Sequence, residues 1–457
     1  MSYIAGLKEK RILVVGAGTT GKFVASFLAS ISATFSVIDE EILVLDSFDV
    51  LNNLPNDNSF DIAIVSPGWR KDHPVFTSLH AQGTEVISEL DFAWLLKQEL
   101  NPEQKWLALT GTNGKTTTVQ MLESILISAG VSAVACGNVG RTVVEAVTNP
   151  KRFSVLALEL SSFQISWSSL PEYEAISILN IAEDHIDWHG TFAEYAEAKL
   201  KLLSQTSIAL LNLGDSEVVL RSAGWNGRKI FFGLETPQAG EIGLVEELLI
   251  DRAFVNSSDS AEVIAELSDV QPSVPHNVSN AMAAAGLALA IGIAHPTVKS
   301  GLANFKLDRH RLELISSRDG IKWVNDSKAT NPHAASAALL SHLSNIWIAG
   351  GLAKGAKMDD LILRTSSRIK AAIIIGKDGE LIASALTKHA PKVRLYRISS
   401  EQGAEDLMDR VVSCAMDIAS DGDTVLLAPA CASMDQFKSY VERGDLFAAS
   451  VTRLVGR

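Results

Sequence analysis

The run Leu109-Thr-Gly-Thr-Asn-Gly-Lys-Thr-Thr-Thr118 restricts the possible fold of this chain more than any other segment. It follows the apolar stretch Trp106–Leu109. It leads into a helical pattern in which Val119, Leu122, Ile125, Leu126 and Ala129 share one stripe closed by Gly130. A strand, a glycine-bearing turn ending in Gly-Lys-Thr, and a helix together form a nucleotide-phosphate loop. Backbone N–H groups of the turn and the helix N-terminus face the phosphates, Lys115 adds a point charge, and the hydroxyl of Thr116 reaches magnesium. The usual spacing would place the first glycine at 109, where leucine stands, so Gly111 opens a tighter loop. An ordinary helix start explains a Gly-Lys-Thr triplet alone. It does not explain strand, helix and three consecutive threonines together.

At 457 residues the chain exceeds one compact core, and roughly two to four domains are expected. The net charge of −13 argues against a general nucleic-acid binder, while a few lysines in one cleft still suit small anions. Cys136, Cys414 and Cys431 are widely spaced with no CxxC pair, which fits reduced thiols better than disulfides or a zinc site. The N-terminus lacks a signal-peptide layout. The apolar run Ala281–Ala294 is too short to cross a bilayer and reads as a buried helix. A cytoplasmic protein without membrane insertion is expected.

The first hundred residues open with a strand, Arg11–Val15, the turn Gly16-Ala-Gly-Thr-Thr-Gly21, a helix over Lys22–Ser30, and a strand, Phe35–Ile38, ending at Asp39. This βαβ unit places an acid near the distance of a ribose contact. The turn suits NAD and equally suits any diphosphate on a helix N-terminus. A third strand, Asp61–Val65, ends in Ser66-Pro-Gly68. The polar segment Lys97–Lys105 reads as a linker. A second α/β region follows, with strands at Trp106–Leu109, Val131–Cys136, Val155–Leu160, Ala175–Leu179 and Ile208–Leu211. Residues 214–274 are less regular and read as a small excursion from that sheet. A third region alternates strands with helices, and Pro332 fits a first-turn position. The expected architecture is α/β, three domains in series: a Rossmann-like domain over 1–99, a central P-loop ATPase-like domain over 100–306, and a C-terminal Rossmann-like α/β domain over 307–457.

Several residues look chemical. Glu159 closes an apolar strand beside the phosphate loop, where a carboxylate is either a magnesium ligand or a solvated strand end. His185, between Asp184 and Asp187, sits at the same sheet edge as a metal ligand, a substrate donor or a structural histidine. Thr191-Phe-Ala-Glu194 reads as a capping box, and Phe192, Tyr195, Ala196, Lys199, Leu202 and Leu203 then share a stripe. Lys199 on that apolar side either snorkels outward or is buried with a lowered pKa as a reactive amine. In the third region, Lys328, Lys354 and Ser433 follow strands, with Ser433 expected to begin a helix where a carboxylate can bind. Arg311 lies near the second domain boundary, within reach of nucleotide phosphates. No nucleophile elbow or Ser-x-x-Lys motif supports a covalent hydrolase, and nothing supports Cys431 as a nucleophile.

Taken together these segments resemble the ADP-forming muramyl ligases of bacterial cell-wall synthesis. The resemblance spans nearly the whole chain: the turns Gly16–Gly21 and Ser66–Gly68, the phosphate loop, Gly137-Asn-Val-Gly140, Glu159–Gln164, Glu183-Asp-His185, Ala198-Lys199, His276–Asn280, His310–Glu313, Asp326–Asn331 and Ser433–Phe437. Asp326-Ser-Lys-Ala-Thr-Asn331 and Pro429-Ala-Cys-Ala-Ser433 with Asp435-Gln-Phe437 resemble the D-glutamate-adding branch. The Asp-Asn-Pro-Arg motif of the diaminopimelate-adding branch is absent from the sequence.

That resemblance implies a cell-wall ligase that uses ATP and two magnesium ions. It would take UDP-N-acetylmuramoyl-L-alanine and D-glutamate as substrates and act as a monomer. It implies that Gly111, Thr112, Asn113, Gly114, Lys115, Thr116 and Thr117 hold the ATP phosphates, with Asn280 and Arg311, and that Asp326 lies nearer the nucleoside. Metal would be held by Thr116, Glu159, His185 and Lys199, the last carbamylated by CO2. Thr20, Gly68, Asn138 and His185 would touch the UDP-substrate, and Thr330, Lys354, Ser433 and Tyr440 the D-glutamate. Lys115, His185 and Lys199 would be catalytic. Some members carry an arginine beside the uracil, but this chain has Asp39-Glu-Glu41.

Overall fold

The computed structural model describes residues 2–42, 44–45, 48–55 and 59–456. The chain divides into two compact units, Met1–Ser273 with Asn277–Phe305, and Val274–His276 with Lys306–Arg457. Among the described residues the first unit contains two sheets and the second contains one.

The N-terminal sheet has Arg11–Val15 near its centre, its last four residues all buried. Thr34–Ile38 pairs on one side and Ile62–Val65 on the other, both parallel. Such near-continuous apolar runs belong to parallel strands covered on both faces. Phe48–Leu51 and Glu85–Ser88 continue the sheet outward, and Val44–Leu45 adds a short antiparallel strand at one edge. Strand order reverses between Arg11–Val15 and Ile62–Val65, so their carboxyl ends flank the crevice where such sheets bind ligands. The expected linker at 97–105 is mostly regular structure. The helix Glu89–Leu100 runs through its first half and the strand Lys105–Thr110 begins at its end. Lys97 is buried with its ammonium 4.8 Å from the Trp94 ring centre and 2.6 Å from Pro102 O, so a polar composition hides a packed helix end.

The central sheet has nine strands. Lys105–Thr110 lies between Ala175–Ile178 and Val155–Glu159, both parallel to it, with Ala133–Gly137 at the edge. Residues 214–274 correct the expected excursion. Arg228–Phe232, Glu241–Val245, Leu248–Asp251 and Glu262–Glu266 extend the same sheet, the last two by antiparallel pairing. Their short, half-polar strands give little periodic signal. The phosphate-loop helix Lys115–Ser128 packs so closely on His295–Asn304 that a Cβ at Gly301 would stand 2.4 Å from Ile125 Cα. Pro275–Ala290 is buried along most of its length, as its alanine-rich sequence predicts. Among the described residues no helix is long and apolar enough to cross a membrane.

The second unit holds a six-stranded sheet in the order Glu313–Arg318, Ile321–Asn325, Thr424–Leu427, Asn345–Gly350, Ile369–Ile375, Arg394–Arg397. All pairings are parallel except that of Glu313–Arg318, a strand the sequence reading lacks. Inserting Thr424–Leu427 between Ile321–Asn325 and Asn345–Gly350 creates a switch point. The carboxyl-end turns 326–331, 350–355 and 428–433 meet there: Ala430 N bonds Ala329 O, Gly350 N bonds Pro429 O, and Leu352 pairs with Ala432. Pro332 opens the helix Pro332–Leu340, with Asn331 as its cap.

Candidate active site

The phosphate loop is tied from both sides. Thr112 N donates to Asn180 O at 3.0 Å and Asn113 N to Asn180 Oδ1 at 2.8 Å, while Asn180 Nδ2 returns a bond to Asn113 O. Thr112 Oγ1 accepts from Ala182 N and lies 2.9 Å from Tyr195 Oη. Gly114, at φ +83, caps the helix in the left-handed region that favours glycine. A Cβ there would stand 2.5 Å from Asn280 Oδ1, so Asn280 closes over the loop. Lys115 Nζ curls back to Gly111 O at 2.7 Å and Thr112 O at 3.0 Å. Thr116 and Thr117 lie in the first helical turn. The sequence reading named the loop but not Asn180 as its clamp.

Pairing of Leu109 with Glu159 sets the acid beside this loop. Glu159 is buried; its Oε1 accepts from Asn138 Nδ2 at 2.8 Å, and its Oε2 has no protein partner. A buried carboxylate oxygen without a donor suits a hard cation, which satisfies it without a proton. Among the described residues no group of three or more His, Cys, Asp or Glu is gathered to hold a metal, so Glu159 and His185 alone do not complete a site. His185 adopts φ +53 ahead of the short helix Ile186–His189. Its pKa is held down by burial first, with Lys115 and Lys199 adding to this against Asp184 and Asp187, which favours the neutral ring. Phe163 braces it, the ring centres 4.8 Å apart.

Lys199 lies on the inward face of Phe192–Leu200 and is 1 % exposed. It does not snorkel. Its Nζ donates to Gly111 O at 3.0 Å and lies 4.7 Å from the Tyr195 ring centre. Burial first, and Lys115 second, lower its pKa well below the ordinary lysine value. Tyr195 thus touches both the loop and the lysine. Its spacing of one helical turn from Lys199 was the signal for it in the sequence.

In the N-terminal sheet, Thr20 stands half-buried in the first turn of Thr19–Ser30, and Gly68 O accepts from Trp188 Nε1 at 3.2 Å. Gly21 must be glycine, because a Cβ there would lie 1.7 Å from Gly16 O. Asp39 is engaged by the backbone of the two turns beside it. Its Oδ2 accepts from Ala17 N at 2.7 Å and its Oδ1 from Glu41 N and Ile42 N. Burial raises this carboxyl's pKa, but the backbone donors more than offset that and hold it below the usual value. Glu40 is engaged by His73 Nε2 at 3.0 Å.

In the second unit, Asp326 Oδ1 accepts from Leu312 N at 3.2 Å and burial pushes the carboxyl up to about 7, with Arg311 pulling the other way. Thr330 is half-buried, Lys354 is exposed at φ +49, and Ser433 is buried. Ser433 does not begin a long helix. Its carbonyl accepts from Gln436 N and Phe437 N in one isolated turn, and the helix Tyr440–Leu454 starts later behind the Ser439 cap. Lys328 Nζ lies 3.9 Å from the Tyr440 ring centre. Sequence reasoning missed Arg443, a fully buried arginine with no local pattern to reveal it.

A glycine-bounded Gly-Lys-Thr loop at the carboxyl ends of adjoining parallel strands defines a nucleotide-phosphate-binding α/β protein. The family models narrow the class. The Mur ligase middle domain matches residues 109–288, and the Mur ligase glutamate ligase domain matches residues 310–431. A UDP-N-acetylmuramoylalanine–D-glutamate ligase of Thermobifida fusca is 42% identical over 98% of this chain and 100% of its own length. The protein of that name from Streptomyces coelicolor is 41% identical over 97% and 98%. The chain belongs to the Mur ligase family. Among solved structures, a pseudomurein peptide ligase from Methanothermus fervidus shares the fold at a TM-score of 0.58 and 19% identity, covering 92% of this chain and 96% of its own. A UDP-N-acetylmuramate–alanine ligase from Thermotoga maritima does so at 0.57 and 16%, covering 97% and 99%.

Proposed function

We propose that this chain is an ADP-forming ligase that adds D-glutamate to UDP-N-acetylmuramoyl-L-alanine in peptidoglycan precursor synthesis. The observation that carries the reading is the buried Lys199 amine hydrogen-bonded to the phosphate loop, beside a Glu159 oxygen with no donor. The names of the full-length relatives support the choice of substrates. Residues 1–99 are assigned to the UDP-substrate, 100–306 to ATP and 307–457 to the amino acid.

A carboxylate is a poor acyl donor. Its oxygen therefore attacks the γ-phosphorus of ATP, the bond to the β-phosphate oxygen breaks, and ADP leaves with the electron pair. The D-glutamate amine then attacks the carbonyl carbon of the acyl phosphate, loses a proton, and phosphate departs with the C–O bonding pair. Gly111, Thr112, Asn113, Gly114, Thr116 and Thr117 cradle the phosphates, and Asn280 holds the loop closed. Lys115 neutralises charge that builds on the transferred group. Asn280 and Arg311 are further nucleotide contacts, with Asp326 toward the nucleoside.

Two magnesium ions, when bound, supply electrophilic activation of the phosphate and carboxylate oxygens. Thr116, Glu159 and His185 would hold them with a carbamate on Lys199, formed when the neutral amine adds to CO2 and releases a proton. That carbamate would supply the acidic ligand that the side chains otherwise lack. Thr20, Gly68, Asn138 and His185 are assigned to the UDP-substrate, and Thr330, Lys354, Ser433 and Tyr440 to D-glutamate. The enzyme is read as a cytoplasmic monomer without a nucleic-acid partner, the last supported by its net charge of −13.

The test is phosphate release from ATP in the presence of each substrate alone and both together. Release requiring both, and lost in Lys115→Ala, is expected. Release equally fast with L-lysine or diaminopimelate in place of D-glutamate would reassign the amino-acid substrate.

A further inference from the structure

Arg443 lies in the first turn of Tyr440–Leu454 with none of its surface exposed. Its guanidinium is satisfied by neutral oxygens. Nε donates to Ser327 Oγ at 3.0 Å, Nη2 to Ser327 O at 2.9 Å, and Nη1 to Cys431 O at 3.1 Å. Asp435 acts on it only through space, and one oxygen of that acid is taken by Lys377 N at 2.8 Å. Burial lowers the guanidinium's pKa to about 10, which leaves it charged at neutral pH. A buried charge whose hydrogen bonds all go to neutral oxygens, with Asp435 opposing it only through space, is costly, and a neutral side chain would make a cheaper structural tie.

The partners of Arg443 give the charge a purpose. Ser327 lies in the turn that carries Lys328 and Thr330, and Cys431 precedes Ser433 by two residues. The same Ser327 hydroxyl donates to Tyr440 O at 2.7 Å, and Tyr440 carries the ring under Lys328. One planar fork therefore fixes two sheet-edge turns and a helix start relative to one another. It also leaves beneath the edge they form a positive charge that no carboxylate bonds directly and that Asp435 offsets only through space. Fixed charge of one sign favours a ligand of the other and disfavours its neutral isostere.

We propose that Arg443 is a positioning residue that makes the C-terminal site select an amino acid with a side-chain carboxylate over the corresponding amide. The proposal rests on the reading of this site as the one that receives D-glutamate.

Wild type is first assayed for phosphate release with D-glutamate and with D-glutamine. If wild type releases no phosphate with D-glutamate, the functional reading fails before this proposal is reached. In Arg443→Met, KM for D-glutamate is expected to rise about tenfold or more, with KM for ATP within about twofold, and preference for D-glutamate over D-glutamine to fall about tenfold. Arg443→Lys, which keeps the charge but not the fork, should raise KM for both amino acids while holding that preference within about threefold. Should Arg443→Met fail to fold, Arg443→Gln takes its place with the same expected loss of preference. Equal losses for acid and amide in the uncharged variant, or a loss of preference in Arg443→Lys as large as in that variant, would overturn the proposal.

Discussion

An amine enclosed as Lys199 is loses its hydration, and its hydrogen-bond partners, a carbonyl and a hydroxyl at 3.0 and 3.4 Å, only partly replace it. Lys115 nearby opposes a second positive charge. The unprotonated form is the one that adds CO2, so carbamylation is favoured wherever the pH exceeds the lowered pKa and fades below it. Lys199→Ala is expected to lose about a thousandfold in turnover and to recover part of it with added formate or acetate. Wild type in 13CO2-equilibrated buffer should show a carbamate carbon signal that Lys199→Ala lacks. Full activity of wild type in CO2-depleted buffer, with no such signal, would rule the modification out. The helical stripe placed Lys199 on the buried face, but its alternatives stayed open because periodicity gives direction and not depth. Depth comes from Tyr195 and the loop, which pack over it in three dimensions.

At the scale of elements, the phosphate loop shows how a local pattern and a distant contact share one function. Its strand, turn and helix were legible because apolar runs, glycine and the threonines occur in order. Asn280, far along the chain, was named only through resemblance, since nothing near Gly114 points to it. The two meet with no room for a Cβ at Gly114. Gly114→Ala therefore suffers twice, through the left-handed backbone and through collision with Asn280 Oδ1. ATP affinity measured by calorimetry should fall about tenfold or more in Gly114→Ala. An affinity within about twofold of wild type would show that neither the backbone nor the collision disturbs the loop. Glu313–Arg318 was illegible for the opposite reason. Its sequence, ELISSR, is mostly polar, and it is a strand only because Ile321–Asn325 pairs with it. Ser433 misled because a single isolated turn copies the start of a helix.

At the scale of the whole molecule, the N-terminal and central sheets share one compact unit through polar ties that no sequence pattern announces. Trp167 Nε1 donates to Trp69 O at 2.9 Å, Arg70 Nη1 to Asp187 O at 3.0 Å, and Lys71 Nζ to Ser166 O at 2.7 Å. Asp91 Oδ1 accepts from Ser168 Oγ, Ser169 N and Leu170 N. Glu89 is as deeply buried as Asp91, and its Oε1 accepts from Val144 N at 3.0 Å at the start of Val143–Val147. Burial drives its pKa up to about 7, with the Val144 and Val143 N–H groups pulling the other way. A carboxyl raised on folding is bound more tightly to its proton in the native state. Its favourable linkage is complete below the unfolded value near 4.5 and is lost as pH rises through about 7. That loss amounts to at most about 3 kcal/mol between roughly pH 5 and pH 8. Glu89→Gln keeps an oxygen to accept from Val144 N but cannot ionise. Relative to wild type, the variant should therefore gain stability as pH rises across that range, read from denaturant unfolding of the full chain at each pH. An offset between the two proteins that stays constant from about pH 5 to pH 8 would show that Glu89 is already ionised in the fold and that another interaction meets the cost of burying it.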